Sequence, residues 1–400
     1  MPSARLPVAR RPRGQAREGP VHPTARRVAV TALLAVEEGE RSNVVLPRLL
    51  GAAGLGERDR AFATELTYGA LRMMRACDWL VGRFAQGPLE PEVRAVLRTG
   101  AYQLAFMRVP AYAAVAATVD ECPPRARSLV NAVMRRMAEL VGQGPVPWPS
   151  PGVRMSYPDW VMQRLAADLG PRDAAGALAK MNEAPTVSVR EDGYTQDPAS
   201  QAVAEHVVGL LGGAGGRALD LCAAPGGKAT LVAHHASGVV AADVARSRSE
   251  VVAGNAQRLG LGNLAVVTAD GRHPPFRDRA FDAVLVDAPC TGLGVLRRRP
   301  DARWRVQPGD IGRLAGLQRE LLSAAAPLVA PGGVLVYSVC TLTREETADV
   351  GEWLVSDLLP GWQVEAPVGP PWEPLGSGAR LLPQRAGTDG MYLLALRRPA

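Results

Sequence analysis

The sequence is poor in three features: long hydrophobic runs, closely spaced cysteines and lysine. No stretch of its 400 residues approaches 18 uninterrupted apolar positions, and its arginine-rich start lacks the apolar segment of a secretory signal, so we expect a soluble, cytoplasmic protein without a membrane partner. The five cysteines are an odd number and no two lie within four positions of each other. That spacing argues against a disulfide framework and against a zinc site, so we expect no metal. A cysteine with a special role is then a better candidate for a nucleophile than for a ligand.

The charge of the chain is basic and is carried almost entirely by arginine. The 46 basic residues outnumber the 39 acidic ones, for a formal charge of +7, and only Lys180 and Lys228 are lysines. A basic chain favours a polyanionic partner, and arginine suits bidentate contact with phosphate, although a GC-rich genome produces the same bias. With 47% hydrophobic and 21% charged residues, the composition is that of a globular protein of two or three domains.

The hydrophobic pattern predicts two domains of different class. Residues 1–23 are rich in Arg and Pro without periodicity and are expected to form a disordered basic tail. Apolar positions then recur at helical spacing behind Thr24, a candidate helix cap, and we place an all-helical bundle at 24–142. A cluster of Gly and Pro at 141–151 indicates a domain boundary, and a helical linker is expected within 143–200.

Short apolar segments alternate with helical stretches in the remaining part of the chain, at 201–400. Such alternation is typical of an α/β doubly wound, Rossmann-like domain with a mostly parallel sheet that is covered on both faces. The last apolar segment is expected to be a closing antiparallel strand. The strands are predicted at 218–221, 238–243, 264–267, 281–286, 333–337 and 391–396.

The segment Cys222-Ala-Ala-Pro-Gly-Gly-Lys228 directly follows the first predicted strand. A glycine turn at this point lets backbone N–H groups approach a ligand at the carboxyl edge of the sheet, where open α/β domains bind nucleotides. The segment is not a Walker loop, which needs Gly where Cys222 stands and Ser or Thr where Ala229 stands. Taken alone, a tight strand-to-helix turn without a ligand is an equal alternative.

Acidic residues follow the next two predicted strands at the same edge. Asp243 ends the second strand, where nucleotide-binding folds carry the acceptor for the ribose hydroxyls. Asp270 follows the third strand and could reach an adenine amino group. Each acid alone is at least as well explained as a helix N-cap. The segment 222–228, Asp243 and Asp270 nevertheless follow three successive strands, and this arrangement favours a ligand-binding site.

Two cysteines follow the fourth and fifth predicted strands. Cys290 lies three residues after Asp287, in Asp-Ala-Pro-Cys-Thr-Gly-Leu-Gly, and Cys340 lies in Ser-Val-Cys-Thr. If the two strands are neighbours, both thiols converge on one crevice beside Asp287. A single cysteine in an α/β core is usually inert packing, whereas two at one strand edge favour catalysis.

Taken together, the motifs that follow the predicted strands resemble those of a known family. The strings Leu219-Asp-Leu-Cys-Ala-Ala-Pro-Gly-Gly-Lys228, Asp287-Ala-Pro-Cys-Thr-Gly-Leu-Gly-Val-Leu-Arg-Arg-Arg-Pro-Asp301 and Tyr337-Ser-Val-Cys-Thr341 closely resemble the S-adenosylmethionine-dependent RNA cytosine-carbon-5 methyltransferases. Within these enzymes the chain is most similar to the Sun/Fmu branch, the 16S ribosomal RNA methyltransferase B family. The N-terminal half resembles the NusB-like helical RNA-binding domain of that branch, through strings that begin at Asp59, Tyr68, Gly100 and Val130.

The resemblance implies a role for each residue of the site. Cys340 would add to carbon 6 of the cytosine, Cys290 would assist release of the adduct, and Asp287 would hydrogen-bond the base near nitrogen 3. Lys228 would orient Asp287 or contact the substrate. The resemblance implies that S-adenosylmethionine is bound by Cys222, Ala223, Ala224, Pro225, Gly226, Gly227, Lys228, Asp243, Asp270 and Asp287.

An arginine-rich stretch follows Cys290 and contains one tryptophan. We expect it to contact the phosphate backbone of RNA and to stack a base, with an arginine-rich surface helix as an equal alternative. The residues concerned are Arg297, Arg298, Arg299, Arg303, Arg305 and Trp304.

The segment between Arg190 and Gln196 departs from the family pattern. Only residues 191–195 stand where family members usually carry several tens of residues of a small RNA-recognition-like subdomain, so the substrate-side subdomain within 143–200 is shortened.

The resemblance implies a monomeric enzyme that methylates small-subunit ribosomal RNA. The alternatives are a non-catalytic RNA-binding or assembly factor and the same chemistry on another RNA, such as transfer RNA.

Overall fold

A computed structural model describes residues 23–212, 215–365 and 369–400. The basic tail that the sequence predicts at 1–23 lies outside the described residues, apart from Pro23. The described chain begins with an all-helical bundle, as predicted. Its helices are α1 (Ala25–Glu37), α2 (Ser42–Ala52), α3 (Glu57–Arg72), α4 (Met74–Gly82), α5 (Pro91–Ala105), α6 (Ala111–Asp120) and α7 (Arg127–Gly142), with a 3₁₀ turn at Pro124–Ala126.

Apolar stripes and close helix contacts hold this N-terminal bundle together. The side chain of Thr24 caps α1 by accepting a hydrogen bond from the backbone N–H of Arg27, and Val28 is buried on the inner face of that helix, as its spacing predicts. The ring of Tyr102 in α5 lies against Gly69 of α3, where an added Cβ would lie 2.0 Å from Cζ of the tyrosine. Only glycine fits at that crossing.

A connector of three helices links the bundle to the α/β domain. The chain between α7 and the connector, at 143–150, contains no helix, and the breaker cluster of Gly and Pro lies there. Apolar residues of the connector pack against Leu293 and Leu296, in the segment that follows Cys290. The connector therefore packs against the segment that carries Cys290. Its helices are α8 (Pro151–Met155), α9 (Asp159–Leu169) and α10 (Pro171–Lys180).

One mixed sheet forms the centre of the C-terminal domain. Its first five strands run parallel and β9 closes it antiparallel to β5, which confirms the predicted doubly wound fold. The order is β3-β2-β1-β4-β5-β9-β8-β7, and β6 also pairs with β9. The strands are β1 (Arg217–Asp220), β2 (Gly238–Asp243), β3 (Leu264–Thr268), β4 (Phe281–Asp287), β5 (Val329–Val339), β6 (Gln363–Val364), β7 (Glu373–Leu375), β8 (Gly378–Leu381) and β9 (Met391–Arg397).

Helices cover both faces of the sheet. Residues of α11, α12 and α13 share one apolar core with β1 and β4, and residues of α15 and α16 share the core on the opposite face. No helix in the described ranges is both long and apolar enough to cross a bilayer. The helices of the C-terminal domain are α11 (Pro198–Leu211), α12 (Gly227–Ala233), α13 (Arg246–Arg258), α14 (Ala302–Arg305), α15 (Pro308–Ala325), α16 (Ala348–Trp353) and α17 (Pro383–Ala386), with a 3₁₀ turn at Ala326–Leu328 and a π-helical turn at Leu354–Leu358.

Candidate active site

The segment 222–228 forms the turn between β1 and α12. Gly226 takes a left-handed conformation with φ of +104°, and a Cβ at this position would lie 3.2 Å from Cγ1 of Val252. The backbone N–H of Ala223 donates to the carbonyl of Ala242 at 2.9 Å, which ties the turn to β2. Both the conformation and the close packing demand glycine at 226, so the loop is a fixed surface at the carboxyl edge of the sheet.

The two predicted acids after β2 and β3 differ in their relation to this loop. Asp243 is buried, and its carboxylate accepts hydrogen bonds at 3.2 Å from the backbone N–H groups of Ala224 and Ala245. Asp270 is bound instead by its neighbour Arg272, whose hydrogen bonds lower the pKa of Asp270 to about 2. The structure therefore joins Asp243 to the loop, while the described contacts of the Asp270 side chain stay within its own turn.

Lys228 and Asp287 form an ion pair beside the loop. The Nζ of Lys228 lies 2.6 Å from Oδ2 of Asp287, and the lysine side chain is almost fully buried. Asp220, at the end of β1, is a further buried acid, and the sequence analysis did not single it out. Burial, and then the charge of Asp287, raise the pKa of Asp220 to about 7. Its position as the acid that ends a buried strand is the signal that could have identified it.

The thiols of Cys290 and Cys340 lie side by side. Strands β4 and β5 are parallel neighbours with Asp287 opposite Ser338, so the residues that follow them reach the same edge of the sheet. The two Sγ atoms are 3.3 Å apart, and both side chains are half-buried. Gly294 joins the two loops by donating its backbone N–H to the carbonyl of Cys340 at 3.1 Å.

The surroundings of the two thiols favour deprotonation of Cys340. The hydrogen bond between the sulfur atoms lowers the pKa of Cys340, against the effects of burial and of Asp287, and the positive charges of Arg299 and Lys228 lower it further. The same hydrogen bond and burial raise the pKa of Cys290 well above its ordinary value, and the charge of Glu346 adds to that rise. Within the pair, the hydrogen bond between the sulfur atoms thus favours the thiolate on Cys340 and the thiol on Cys290.

A fully buried carboxylate, Glu346, supports both cysteine loops. It accepts hydrogen bonds from the backbone N–H of Thr291 at 2.8 Å and from Oγ1 of Thr343 at 2.8 Å, and Thr341 and Gln318 also donate to it. Thr291 and Thr341 each adjoin one of the two cysteines. Glu346 carries no local sequence signal, because its contacts with Thr291 and Gln318 join distant parts of the chain.

The arginine-rich stretch after Cys290 is not a continuous RNA-binding surface. Arg297 is buried between Asp197 and Asp389, at 2.9 Å from each carboxylate. Arg303 is fully buried and donates to backbone carbonyls, and Nε1 of Trp304 donates to the carbonyl of Leu71. The expectation of phosphate contacts is therefore wrong for Arg297 and Arg303, because their guanidinium groups are used inside the protein. Base stacking by the half-buried Trp304 stays a prediction. The exposed residues of the stretch are Arg298, Arg299 and Arg305.

The shortened segment between Arg190 and Gln196 forms a tight turn against the loop. Val189 and Thr195 make an antiparallel bridge, and the backbone N–H of Arg190 donates to the carbonyl of Tyr194 at 2.9 Å. The guanidinium of Arg190 donates to the carbonyl of Gly227 at 2.7 Å and to Thr230 at 3.1 Å. The turn thus holds the start of α12 in place.

The donor and acceptor groups at this edge suit a ligand with a cationic centre and ribose hydroxyls. The carboxylates of Asp220, Asp243 and Asp287 surround the loop, and Oδ1 of Asp220 is buried with no hydrogen-bond partner among the described residues. A buried carboxylate oxygen without a donor is costly unless a ligand supplies one. Fold and site together place the protein among the Rossmann-like methyltransferases that use S-adenosylmethionine.

Comparison with known proteins identifies the family. The family model described as 16S rRNA methyltransferase RsmB/F matches residues 212–397, and the model of the NusB family matches residues 23–139. The ribosomal RNA small subunit methyltransferase B of Thermus thermophilus is 38% identical over 412 residues, which cover 94% of this chain and 98% of that protein. The chain belongs to the 16S rRNA methyltransferase RsmB/F family of S-adenosylmethionine-dependent RNA methyltransferases.

Two further comparisons agree over nearly the whole length. A methyltransferase of Mycobacterium tuberculosis is 38% identical over 456 aligned positions, which cover 96% of this chain and 98% of that protein. Since the alignment is longer than the 400 residues of this chain, the relative carries residues that this chain lacks. The crystal structure of PH0851 shows the same fold, with a TM-score of 0.75 and 22% identity over 94% of this chain and 98% of that one.

Proposed function

We propose that the protein methylates carbon 5 of a cytosine in small-subunit ribosomal RNA through a covalent adduct between Cys340 and carbon 6 of the base. The observation that carries this proposal is the pair of thiols 3.3 Å apart, next to the Lys228–Asp287 ion pair, at the edge of the sheet where the family binds its cofactor. Carbon 5 of cytosine is a poor nucleophile, and addition of a thiolate to carbon 6 activates it.

The cofactor would be held by the loop 222–228 and by the acids around it. Gly226 and Gly227 allow close approach of the ligand, Asp243 would accept from the ribose hydroxyls, Asp270 would accept from the adenine amino group, and Asp220 would accept from a cationic group with its unpartnered oxygen. S-adenosylmethionine supplies an electrophilic methyl group on a sulfonium sulfur. The ion pair between Lys228 and Asp287 joins the end of this loop to the end of β4, the strand that precedes Cys290.

The chain's own residues perform the remaining steps. The Cys340 thiolate forms a bond to carbon 6, and the electron pair displaced from the ring double bond makes carbon 5 nucleophilic toward the methyl group, whose bond to sulfur would break with the electron pair staying on sulfur. Nitrogen 3 takes up a proton from solvent as the adduct forms and returns it when the ring double bond is restored, and the Asp287 carboxylate accepts the hydrogen bond of that N–H group. Once Cys340 is bonded to carbon 6, its thiolate charge no longer holds the proton on Cys290, so Cys290 gives that proton to solvent. After methyl transfer, the Cys290 thiolate takes up the proton of carbon 5. The electrons of that C–H bond restore the ring double bond, and the sulfur of Cys340 leaves as thiolate. The hydrogen bond between the two sulfur atoms suits this division of roles.

Replacing Cys290 by alanine should trap the covalent adduct. Without the Cys290 sulfur the proton of carbon 5 is removed slowly, so the protein stays bonded to methylated RNA. We expect a protein–RNA band that survives denaturing electrophoresis with Cys290→Ala and labelled RNA, and no such band with the double variant Cys290→Ala/Cys340→Ala. A band of equal strength in the double variant would contradict the assignment of Cys340 as the nucleophile.

The substrate itself can be identified with the same protein. We expect labelled methyl transfer to a cytidine in small-subunit ribosomal RNA, mapped as 5-methylcytidine. Transfer to transfer RNA alone would keep the chemistry and change the substrate. If cofactor-bound protein transferred no methyl group to any cytidine-containing RNA, the proposal would be wrong and a role as a non-catalytic assembly factor would be favoured.

Glu346 is expected to position both cysteines. In Glu346→Ala the donors of Thr291, Thr341 and Gln318 lose their shared acceptor, which should cost about 3 kcal/mol of unfolding free energy and lower kcat by about 10²-fold. We expect KM for RNA to change little and Glu346→Gln to recover part of kcat, since its amide keeps one acceptor oxygen. Urea unfolding and single-turnover methyl transfer measure the two effects.

Glu345→Ala is the matched control, since Glu345 is the adjacent residue and forms a partly exposed pair with Arg164. We expect it to retain both stability and kcat. A kcat within threefold of the unmodified protein for Glu346→Ala would show that the two cysteine loops keep their geometry without this carboxylate.

A further inference from the structure

Four exposed arginines come from three separate parts of the chain: the N-terminal bundle, α13 and the segment that follows Cys290. Arg41 immediately precedes α2 of the N-terminal bundle, Arg248 lies on α13 after β2, and Arg299 and Arg305 lie in the segment that follows Cys290. We refer to Arg41, Arg248, Arg299 and Arg305 as the arginine cluster. None of its members is close in sequence to all the others, so only the fold brings them together.

One buried carboxylate, Asp301, brings Arg41 and Arg305 to the same junction. The hydroxyl of Ser42, the neighbour of Arg41, donates to Oδ1 of the buried Asp301 at 2.5 Å, and Nη2 of Arg305 lies 2.9 Å from Oδ2 of the same carboxylate. Asp301 thus connects the start of α2 to the segment after Cys290. Because Ser42 and Arg41 are consecutive, the N-terminal bundle presents Arg41 at this junction.

The charges of the other two members, Arg248 and Arg299, act on Arg41. Burial lowers the pKa of Arg41, and the positive charges of Arg305, Arg299 and Arg248 lower it further. The charge of Arg299 also lowers the pKa of Cys340. Arg248 lies 3.1 Å from Asp243 and donates to the carbonyl of Ala224, which places it at the cofactor loop.

The cluster has more positive charge than its carboxylate partners neutralise. Arg248 and Arg305 each have one carboxylate partner, whereas Arg41 and Arg299 form no salt bridge within the described part of the chain. Like charges that face one another repel, and an anion that binds between them removes this cost. Guanidinium groups bind phosphate oxygens in bidentate fashion, so a phosphodiester backbone is the matching ligand.

We propose that the arginine cluster is one binding site for the phosphodiester backbone of the substrate RNA, to which the N-terminal bundle contributes Arg41 and the methyltransferase domain contributes Arg248, Arg299 and Arg305. This inference rests on the proposed function for the identity of the polyanion. The backbone on either side of the target cytidine crosses the junction between the domains. The bundle therefore takes part in positioning the base over Cys340.

The test compares RNA binding by Arg41→Gln with binding by Arg136→Gln. Arg136 is an exposed arginine on α7 of the same bundle, so both variants remove one positive charge. The probe is a fluorescent single-stranded RNA that contains cytidine, titrated by anisotropy at several salt concentrations without S-adenosylmethionine. Thermal unfolding verifies that each variant is folded, and Arg41→Lys tests whether charge alone suffices.

We expect Arg41→Gln to weaken RNA binding about fivefold and to reduce the slope of log K against log salt by about 0.7, the value for one phosphate contact on a single strand. Arg41→Lys should keep the slope. Equal Kd and slope for Arg41→Gln and Arg136→Gln would overturn the proposal, as would the absence of RNA binding by the unmodified protein.

The outcome is independent of the methylation assay, because binding is measured without the methyl donor. Weaker binding by Arg41→Gln in a protein that methylates no RNA would support the cluster and reject the proposed function. If the unmodified protein methylated RNA and Arg41→Gln bound RNA as tightly as Arg136→Gln, the proposed function would be supported and the arginine cluster rejected.

Discussion

Replacing Cys340 by serine is expected to slow methyl transfer by about 10⁴-fold or more. Serine keeps the size of the side chain, but its hydroxyl stays protonated where the thiol of Cys340 deprotonates, so the bond to carbon 6 does not form. The hydrogen bond to Cys290 and the charges of Arg299 and Lys228, which favour the thiolate, have no comparable effect on a hydroxyl. Single-turnover transfer of a labelled methyl group to RNA measures the loss.

Cys122→Ser is the matched control for this substitution. Cys122 is a buried thiol of the N-terminal bundle that donates to the carbonyl of Val119, a hydrogen bond that a serine hydroxyl can also make. We expect this variant to retain the rate of the unmodified protein. A Cys340→Ser protein with a rate within tenfold of the unmodified protein would contradict nucleophilic catalysis by Cys340.

Replacing Arg303 by methionine is expected to lower the free energy of unfolding by about 3 to 5 kcal/mol. The fully buried guanidinium donates to the carbonyls of Arg72 and Ser156 and to the side chain of Asn182, and it lies 4.0 Å from the ring centroid of Tyr157. Methionine fills similar space but leaves these acceptors buried without donors. Burial lowers the pKa of Arg303 to about 10, so the side chain is charged at neutral pH.

Urea unfolding followed by tryptophan fluorescence measures this loss. Trp304 adjoins Arg303 and contacts Leu71 across the same junction between domains, so it contributes, with the other six tryptophans, to the change in emission on unfolding. Arg313→Met removes an exposed arginine that pairs with Asp310, and we expect it to cost less than about 0.5 kcal/mol. A loss of unfolding free energy below about 1 kcal/mol for Arg303→Met would mean that the junction between the domains does not depend on the hydrogen bonds of Arg303.

The strand segments and the loop after β1 could be predicted from local pattern. Buried parallel strands are continuous apolar runs, and the six predicted segments coincide with β1 to β5 and β9. The strands β6 to β8 were missed because each contains two to four residues, too few to show a period. Their place in the sheet depends on pairing with β9 and with one another, which local sequence does not encode.

The arginine-rich stretch shows where local pattern misleads. Five arginines within nine residues are typical of a surface that binds nucleic acid. Arg297 and Arg303 are nevertheless buried, because their partners come from remote positions: Asp197 and Asp389 for Arg297, and Arg72 for Arg303. An arginine is exposed or buried according to the partners that the fold brings to it, and these partners cannot be identified from neighbouring residues.

Local pattern was enough to predict the parallel strands and most of the reactive groups at their ends. Apolar runs that alternate with helical stretches specify parallel strands, and parallel strands place the residues that follow them on one edge of the sheet, so the two cysteines, Asp243 and Asp287 could be named without coordinates. How these groups share their protons and charges depends on the packed chain. The thiol pair, the support from Glu346 and the arginine cluster depend on contacts between residues 50 or more positions apart, and such contacts exist only after the chain has packed.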